Sequence, residues 1–272
     1  MKYILSFRDR PTGGAVVPWC LEQRDGFGSL NDLKIENNIT FLIHGFNVNE
    51  KDGRNKLTNL TKMLGIDVDG GLVSILWPGD HWVNALSYPF EGRDADDTSL
   101  ELLKFIDQIP KDIPLSFVAH SLGSRVAMNV VDKLQSKGNK VSKVCLMAAA
   151  IDNYSLSSKA DYFNATGYAE KVFVLTSKKD KVLRIAYPAG DLLQSFIFLQ
   201  DTFGMALGLK GPKARKRFNE AIPENVLHES IPRDRKCGHG DYLPNNDPNN
   251  EQKSAANYAR DVLLGIQKPA YV

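Results

Sequence analysis

Cysteine is scarce here: three occur in 272 residues, Cys20, Cys145 and Cys237. A set that is both odd and sparse excludes a disulfide-stapled fold. Cys145 lies in the apolar run VCLMAAA and reads as a buried core thiol; Cys20 and Cys237 could pair only if the fold brings them together, and free thiols are the favoured reading. The pair Cys237 and His239 lacks the further ligands a zinc site needs, so no metal is expected. Charge of one sign is lacking as well. With 34 Lys and Arg against 32 Asp and Glu, the formal net charge is +2, which excludes a general nucleic-acid binder. No apolar run approaches the roughly 20 residues that span a bilayer. The stretch Tyr3–Phe7, ahead of Arg8, Asp9 and Arg10, is too short for a secretory signal. The expectation is a soluble, cytoplasmic protein. No repeat or low-complexity tract is present.

What remains is an ordinary globular composition, 43% hydrophobic and 24% charged, with enough apolar residues for a sizeable core. Short β-branched runs alternate with longer amphipathic stretches, the pattern of parallel βαβ units. Strands are expected at Lys2–Phe7, Ile39–Ile43, Leu72–Trp77, Leu115–Ala119, Lys143–Ala149, Val172–Thr176 and Val226–Ser230. The middle ones are almost wholly apolar, as befits strands covered on both faces. Helices are expected at Arg54–Leu64, Thr98–Ile109, Ser124–Gln135 and Ala255–Ile266, with Gly138 as a stop. Residues 152–168 and 187–225 break the rhythm. The fold class is therefore α/β: one domain over 1–272, with a mostly parallel central sheet, helices on both faces, and a small cap or lid at those two segments.

The segment LSFVAHSLGSRVAMNVV carries the main chemical signal. An apolar strand runs into His120-Ser121-Leu122-Gly123, and an apolar-periodic helix follows at once. This is the G-x-S-x-G turn with Ala119 in place of the first glycine. Such a turn holds a serine at its strained tip while the chain on either side passes close together, so residues 119 and 123 must be small. A serine that only caps a helix is the competing reading. The strand before it and the small residues on both sides favour a nucleophile. The N–H of Leu122, at the helix start, is then one oxyanion donor.

A second donor is expected from the loop after an earlier strand. In NITFLIHGFNVNE, Gly45 gives that loop its freedom, Phe46 supplies the N–H and Asn47 braces it. On such an elbow the chain order is nucleophile, acid, histidine. Asp180 follows the strand Val172–Thr176 and leads as the acid, with Asp152, at the end of an earlier strand, as its competitor. Of the five histidines (His44, His81, His120, His228 and His239), two lie beyond both acids. His228 falls within a strand, whereas His239 sits in the glycine-flanked loop KCGHGDYL and leads as the base. His44 reads as structural, and His120 as pointing away from its neighbour Ser121.

The pieces FLIHGFNV, LWPGD, LSFVAHSLGSRV, LTSKKDKVLRIA and CGHGDYL, spread from Thr40 to Leu243, resemble the α/β-hydrolase superfamily. More narrowly they resemble the lipase-like bacterial group of alpha/beta hydrolases of unknown function. The S-x-x-D-x-x-L piece, Ser177 to Leu183, points to that group and to Asp180. The resemblance implies a Ser121-Asp180-His239 triad and hydrolysis of a carboxylic ester without metal or organic cofactor. The substrate would be a small-molecule or lipid ester. Thioesterase, amidase and acyltransferase chemistry on the same residues stay open, as does a non-catalytic scaffold that acts as a binding protein. The segment Leu192–Leu209 is rich in Phe196, Ile197, Phe198 and Phe203, and Lys213, Arg215, Lys216 and Arg217 follow it. It has two readings: a core helix followed by a solvated basic loop, or a weak contact with an anionic membrane surface. Oligomeric state is not legible.

Overall fold

The computed structural model describes residues 2–23, 30–33, 36–65, 70–80, 88–185 and 205–272. Eight strands form one sheet: β1 (Lys2–Arg8), β2 (Val16–Gln23), β3 (Ile39–Ile43), β4 (Gly71–Leu76), β5 (Leu115–His120), β6 (Val141–Met147), β7 (Lys171–Thr176) and β8 (Val226–Ser230). Their order is β2-β1-β4-β3-β5-β6-β7-β8. Only the β1–β2 pair is antiparallel. Every residue of β3, β4 and β5 is buried, which is why these strands are mostly apolar, with Thr40, Ser74, Ser116 and His120 as buried polar exceptions.

The helices are α1 (Leu30–Leu33), α2 (Glu50–Leu64), α3 (Tyr88–Ile106), α4 (Gly123–Lys137), α5 (Phe163–Tyr168), α6 (Leu207–Lys210) and α7 (Asn250–Leu264). Parallel crossovers are right-handed. Helix α2 leads from β3 to β4 one way along the sheet, while α3 and α4 lead the other way, so they cover opposite faces. The packing agrees: α3 lies against α4, and α2 against α7. The direction of winding reverses around β3 and β5, and the crevice beyond their carboxyl ends is where open α/β sheets place their ligands. Residues Gly45 and Ser121 stand at those two ends.

The structure departs from the sequence expectations in several places. Strand β2 was not expected at all. It carries Pro18 on the sheet's edge, where a missing N–H costs no ladder bond. Helix α2 begins at Glu50, four residues before Arg54, because the Asn49 side chain accepts the Asp52 N–H and caps it there. Helix α3 spans Tyr88–Ile106 in place of Thr98–Ile109. Strand β6 spans Val141–Met147 in place of Lys143–Ala149; it ends where Ala148 takes a positive φ of 47°. Helix α7 runs Asn250–Leu264 in place of Ala255–Ile266. Gly265 closes it in the left-handed conformation, which leaves Ile266 outside and exposed. The loop-like stretch 152–168 contains α5. Of the stretch 187–225, residues 187–204 lie outside the described residues. Gly138 does stop α4, at φ 75°. Among the described residues no helix is long and apolar enough to cross a membrane.

Candidate active site

Buried β5 delivers the chain to Ser121, whose φ of 54° lies in the left-handed region that a serine rarely occupies. Two bonds to the end of β6 and the residues after it lock the turn: Ser121 N–H donates to the Met147 carbonyl at 3.0 Å, and Ala150 N–H donates to the Ser121 carbonyl at 3.1 Å. The glycines beside it are there for space. A Cβ on Gly123 would stand 2.4 Å from the His44 carbonyl oxygen, and one on Gly45 would stand 2.6 Å from Ser121 Cβ. The elbow and the loop after β3 are thus pressed together, with room for hydrogen alone at both positions.

The Ser121 hydroxyl is bonded to an imidazole and caps no helix. His239 Nε2 is 2.9 Å from Ser121 Oγ, and His239 Nδ1 is 2.7 Å from Asp180 Oδ2. A carboxylate can only accept, so Nδ1 carries the proton and Nε2 accepts from the serine hydroxyl. Asp180 is wholly buried. Its other oxygen accepts the Leu183 N–H at 2.9 Å, so both oxygens of the buried carboxylate have a donor. The S-x-x-D-x-x-L piece now has a physical reading. Ser177 Oγ donates to the Cys237 carbonyl at 2.6 Å and ties the loop of Asp180 to the loop of His239. Asp180 caps the helical turn at 181–185, and Leu183 fills the core beneath it. His239 itself opens a 3₁₀ turn, His239–Tyr242. That turn is held by Gly238 N–H on Asp241, Asn249 on Asp241, and Gln252 Nε2 on the Leu243 carbonyl.

The remaining candidates separate cleanly. Asp152, the competing acid, accepts the Tyr154 N–H at 2.6 Å and forms a turn, and burial pushes its carboxyl pKa up. His228 is bound within the sheet to Thr176 Oγ1 at 2.9 Å. His44 is fully buried; its Nδ1 lies 2.8 Å from the Gly45 carbonyl, and its Nε2 accepts the Trp77 N–H at 3.4 Å. Burial pulls its pKa down to about 3, which leaves it neutral. His81 lies outside the described residues. Phe46 sits between Gly45 and Asn47, whose φ of 55° and N–H bond to the Gly79 carbonyl, at 2.5 Å, fix the loop. Leu122 precedes the first residue of the 15-residue helix α4. In the basic loop, Arg215 is not simply solvated: it pairs with the buried carboxylate of Glu220 at 3.0 Å.

Sequence reasoning missed His120. Its Nε2 donates to the His239 carbonyl at 2.9 Å, and the two rings lie 4.9 Å apart. Burial first, and the nearby His239 second, hold its pKa well below 6.5. The residue before Ser121 therefore holds the loop that carries the His239 imidazole; nothing local in the sequence signals this. All three cysteines are free, and burial pushes the Cys237 thiol up to about 12. Among the described residues no group of three or more His, Cys, Asp or Glu is placed to hold a metal ion.

Residues 29–191, more than half of the chain, match the family described as "Alpha/beta hydrolase of unknown function". No curated protein matches the sequence. Among solved structures, the chain is similar to the catalytic core domain of acetyl xylan esterase from Trichoderma reesei, at 14% identity over 86% of this chain and 98% of that one, with a TM-score of 0.45. It is also similar to a metagenomic carboxyl esterase, at 13% identity over 85% and 74% of the two chains, with a TM-score of 0.41. A gene product of Listeria innocua matches at 9% identity over 86% and 97%, with a TM-score of 0.45.

Proposed function

This chain belongs to the family of alpha/beta hydrolases of unknown function, and from that premise we propose that it is a serine hydrolase that cleaves a carboxylic ester through Ser121, His239 and Asp180. The observation that carries the reading is the unbroken line Ser121 Oγ, His239, Asp180, at 2.9 and 2.7 Å, with the serine on a strained turn. A hydrogen-bonded nucleophile, base and orienting carboxylate are what acyl transfer requires.

In the first half, His239 Nε2 takes the Ser121 proton as Oγ attacks the ester carbonyl carbon. The carbonyl oxygen becomes an oxyanion, held by the backbone N–H groups of Leu122 and Phe46. The positive end of α4 adds to that stabilisation. Collapse of the intermediate expels the alcohol, which takes the proton from His239. In the second half a water gives its proton to His239 and attacks the acyl carbon, and the acid leaves as Ser121 recovers its proton. Asp180 fixes the tautomer and stabilises the imidazolium throughout.

Turnover of p-nitrophenyl butyrate tests the reading. Ser121→Ala is expected to lower kcat by about 10⁴- to 10⁶-fold with the fold intact. Unchanged turnover in that variant would exclude Ser121 as the nucleophile.

A further inference from the structure

The motif LWPGD is not used by the chemistry above, yet its last residue is half of the most enclosed ion pair among the described residues. Arg8, at the end of β1, and Asp80, after β4, meet at 2.5 Å with side chains 1% and 6% exposed. Taking two charges out of water is costly, and a pair this enclosed earns its place only through further bonds. Arg8 has them. Nη1 donates to the Trp77 carbonyl at 2.8 Å and to the Val48 carbonyl at 3.3 Å. Nη2 reaches the Gly13 and Pro11 carbonyls at 3.3 and 3.4 Å, and Nε reaches the Arg10 carbonyl at 3.1 Å.

Arg10, Pro11 and Gly13 belong to the connection after β1, whereas Val48 belongs to the loop after β3 and Trp77 is bonded to that loop. Val48 lies two residues beyond Phe46. Between them, Asn47, held at φ 55°, donates to the Gly79 carbonyl in the same turn that ends at Asp80. On the near side, Gly45 is pressed against Ser121, and the His44 carbonyl accepts the Trp77 indole N–H at 2.9 Å. The stretch 44–48 is therefore anchored at both ends and at its middle, and the far anchor is the guanidinium of Arg8. Arg8 touches neither Ser121 nor His239.

We infer that Arg8 and Asp80 are positioning residues: through the Val48 and Trp77 carbonyls they fix the 44–48 loop so that the Phe46 N–H meets the oxyanion. This rests on the proposed Ser121 chemistry. The pair acts on the transition state and barely on substrate binding, because the oxyanion exists only after attack.

The test uses the full chain with Arg8→Lys, Asp80→Asn and the double variant Arg8→Met/Asp80→Leu, in which an apolar pair replaces the charges without stranding either one. Three readouts are taken: circular dichroism, kcat and KM for p-nitrophenyl butyrate, and Ki for a trifluoromethyl ketone that forms an oxyanion adduct on serine. Misplacement of an oxyanion donor is expected to lower kcat by about 10²-fold, with KM within about threefold and Ki raised in parallel with the loss in kcat. A role in packing alone would not link kcat to Ki. Folded variants with wild-type kcat, a loss confined to KM, or failure of all three variants to fold would each overturn the inference. A wild-type enzyme without turnover, or Ser121→Ala as active as wild type, would instead overturn the Ser121 reading, and the positioning role with it.

Discussion

Asp180 gives one carboxyl oxygen to His239, at 2.7 Å, and the other to the Leu183 N–H, at 2.9 Å. A single buried side chain thus aims the imidazole and caps the helical turn at 181–185. The two duties can be separated by substitution. Asparagine can still accept from Leu183, but its amide would present N–H groups to the imidazole and favour the wrong tautomer. Asp180→Asn is therefore expected to retain its melting temperature within a few degrees and to lose about 10⁴-fold in kcat. Steady-state kinetics and a thermal melt on the same sample decide it; a large fall in melting temperature with modest kinetic loss would mean that the carboxylate serves the fold alone.

Gly123 and Gly45 are expected to tolerate no side chain. A Cβ on Gly123 meets backbone, the His44 carbonyl at 2.4 Å, whereas one on Gly45 meets Ser121 Cβ at 2.6 Å. Gly123→Ala should cost about 1–3 kcal/mol of stability as the elbow and the loop after β3 are forced apart. Gly45→Ala should lose activity out of proportion to stability, because the displaced group is Ser121. Urea melts paired with ester turnover check both, and alanine accommodated without effect at either position would contradict the close packing.

Stability should fall on the acid side because of His44. Its pKa is about 3 in the folded protein against an ordinary 6.5, and burial is the largest cause. Above pH 6.5 both folded and unfolded chains carry it neutral. As pH falls from 6.5 towards 3, the unfolded chain gains a proton that the folded chain refuses, so stability is lost across that window. A shift of this size corresponds to about 5 kcal/mol at the acid limit. His120, also pulled down by burial, acts in the same direction. Urea midpoints at pH 7, 5.5 and 4 should decline, and His44→Gln should flatten the decline while lowering stability at pH 7. Parallel slopes in the two proteins would show that His44 is not the group responsible.

His120 offers a further separation. Its Nε2 holds the His239 carbonyl, while among the described residues no group bonds its buried Nδ1. Phenylalanine would lose the one bond and remove the orphaned nitrogen. His120→Phe is expected to change stability by less than about 1 kcal/mol, because the lost bond and the removed orphan offset each other. Its kcat should fall about tenfold as the loop carrying His239 loosens. A melt shifted far downwards with normal kcat would reverse that assignment.

Much of this was legible in the sequence because the elbow is local. Strand, strained serine, small neighbours and helix occupy consecutive residues, and their packing needs are written side by side from Leu115 to Val131. Asp180 and His239 could be nominated from chain order, since each follows a strand in a loop. The helix that Asn49 caps starts earlier than its apolar stripe, because a cap is set by one side chain and leaves no periodic trace. Strand β2 escaped because it is an edge strand, half-exposed and interrupted by Pro18, so neither alternation nor a continuous apolar run marks it. Arg8, Asp80 and His120 were invisible as partners for a different reason: their contacts span 72 and 119 residues, and only the order of strands in the sheet brings them together.

The central claim is that Ser121 is a live nucleophile, and a fluorophosphonate probe reads it directly. Peptide mass spectrometry after labelling should find one adduct, on the peptide that contains Ser121, formed faster than in His239→Ala and absent in Ser121→Ala. A folded wild-type protein that takes up no probe, or takes it up on another residue, would contradict the account.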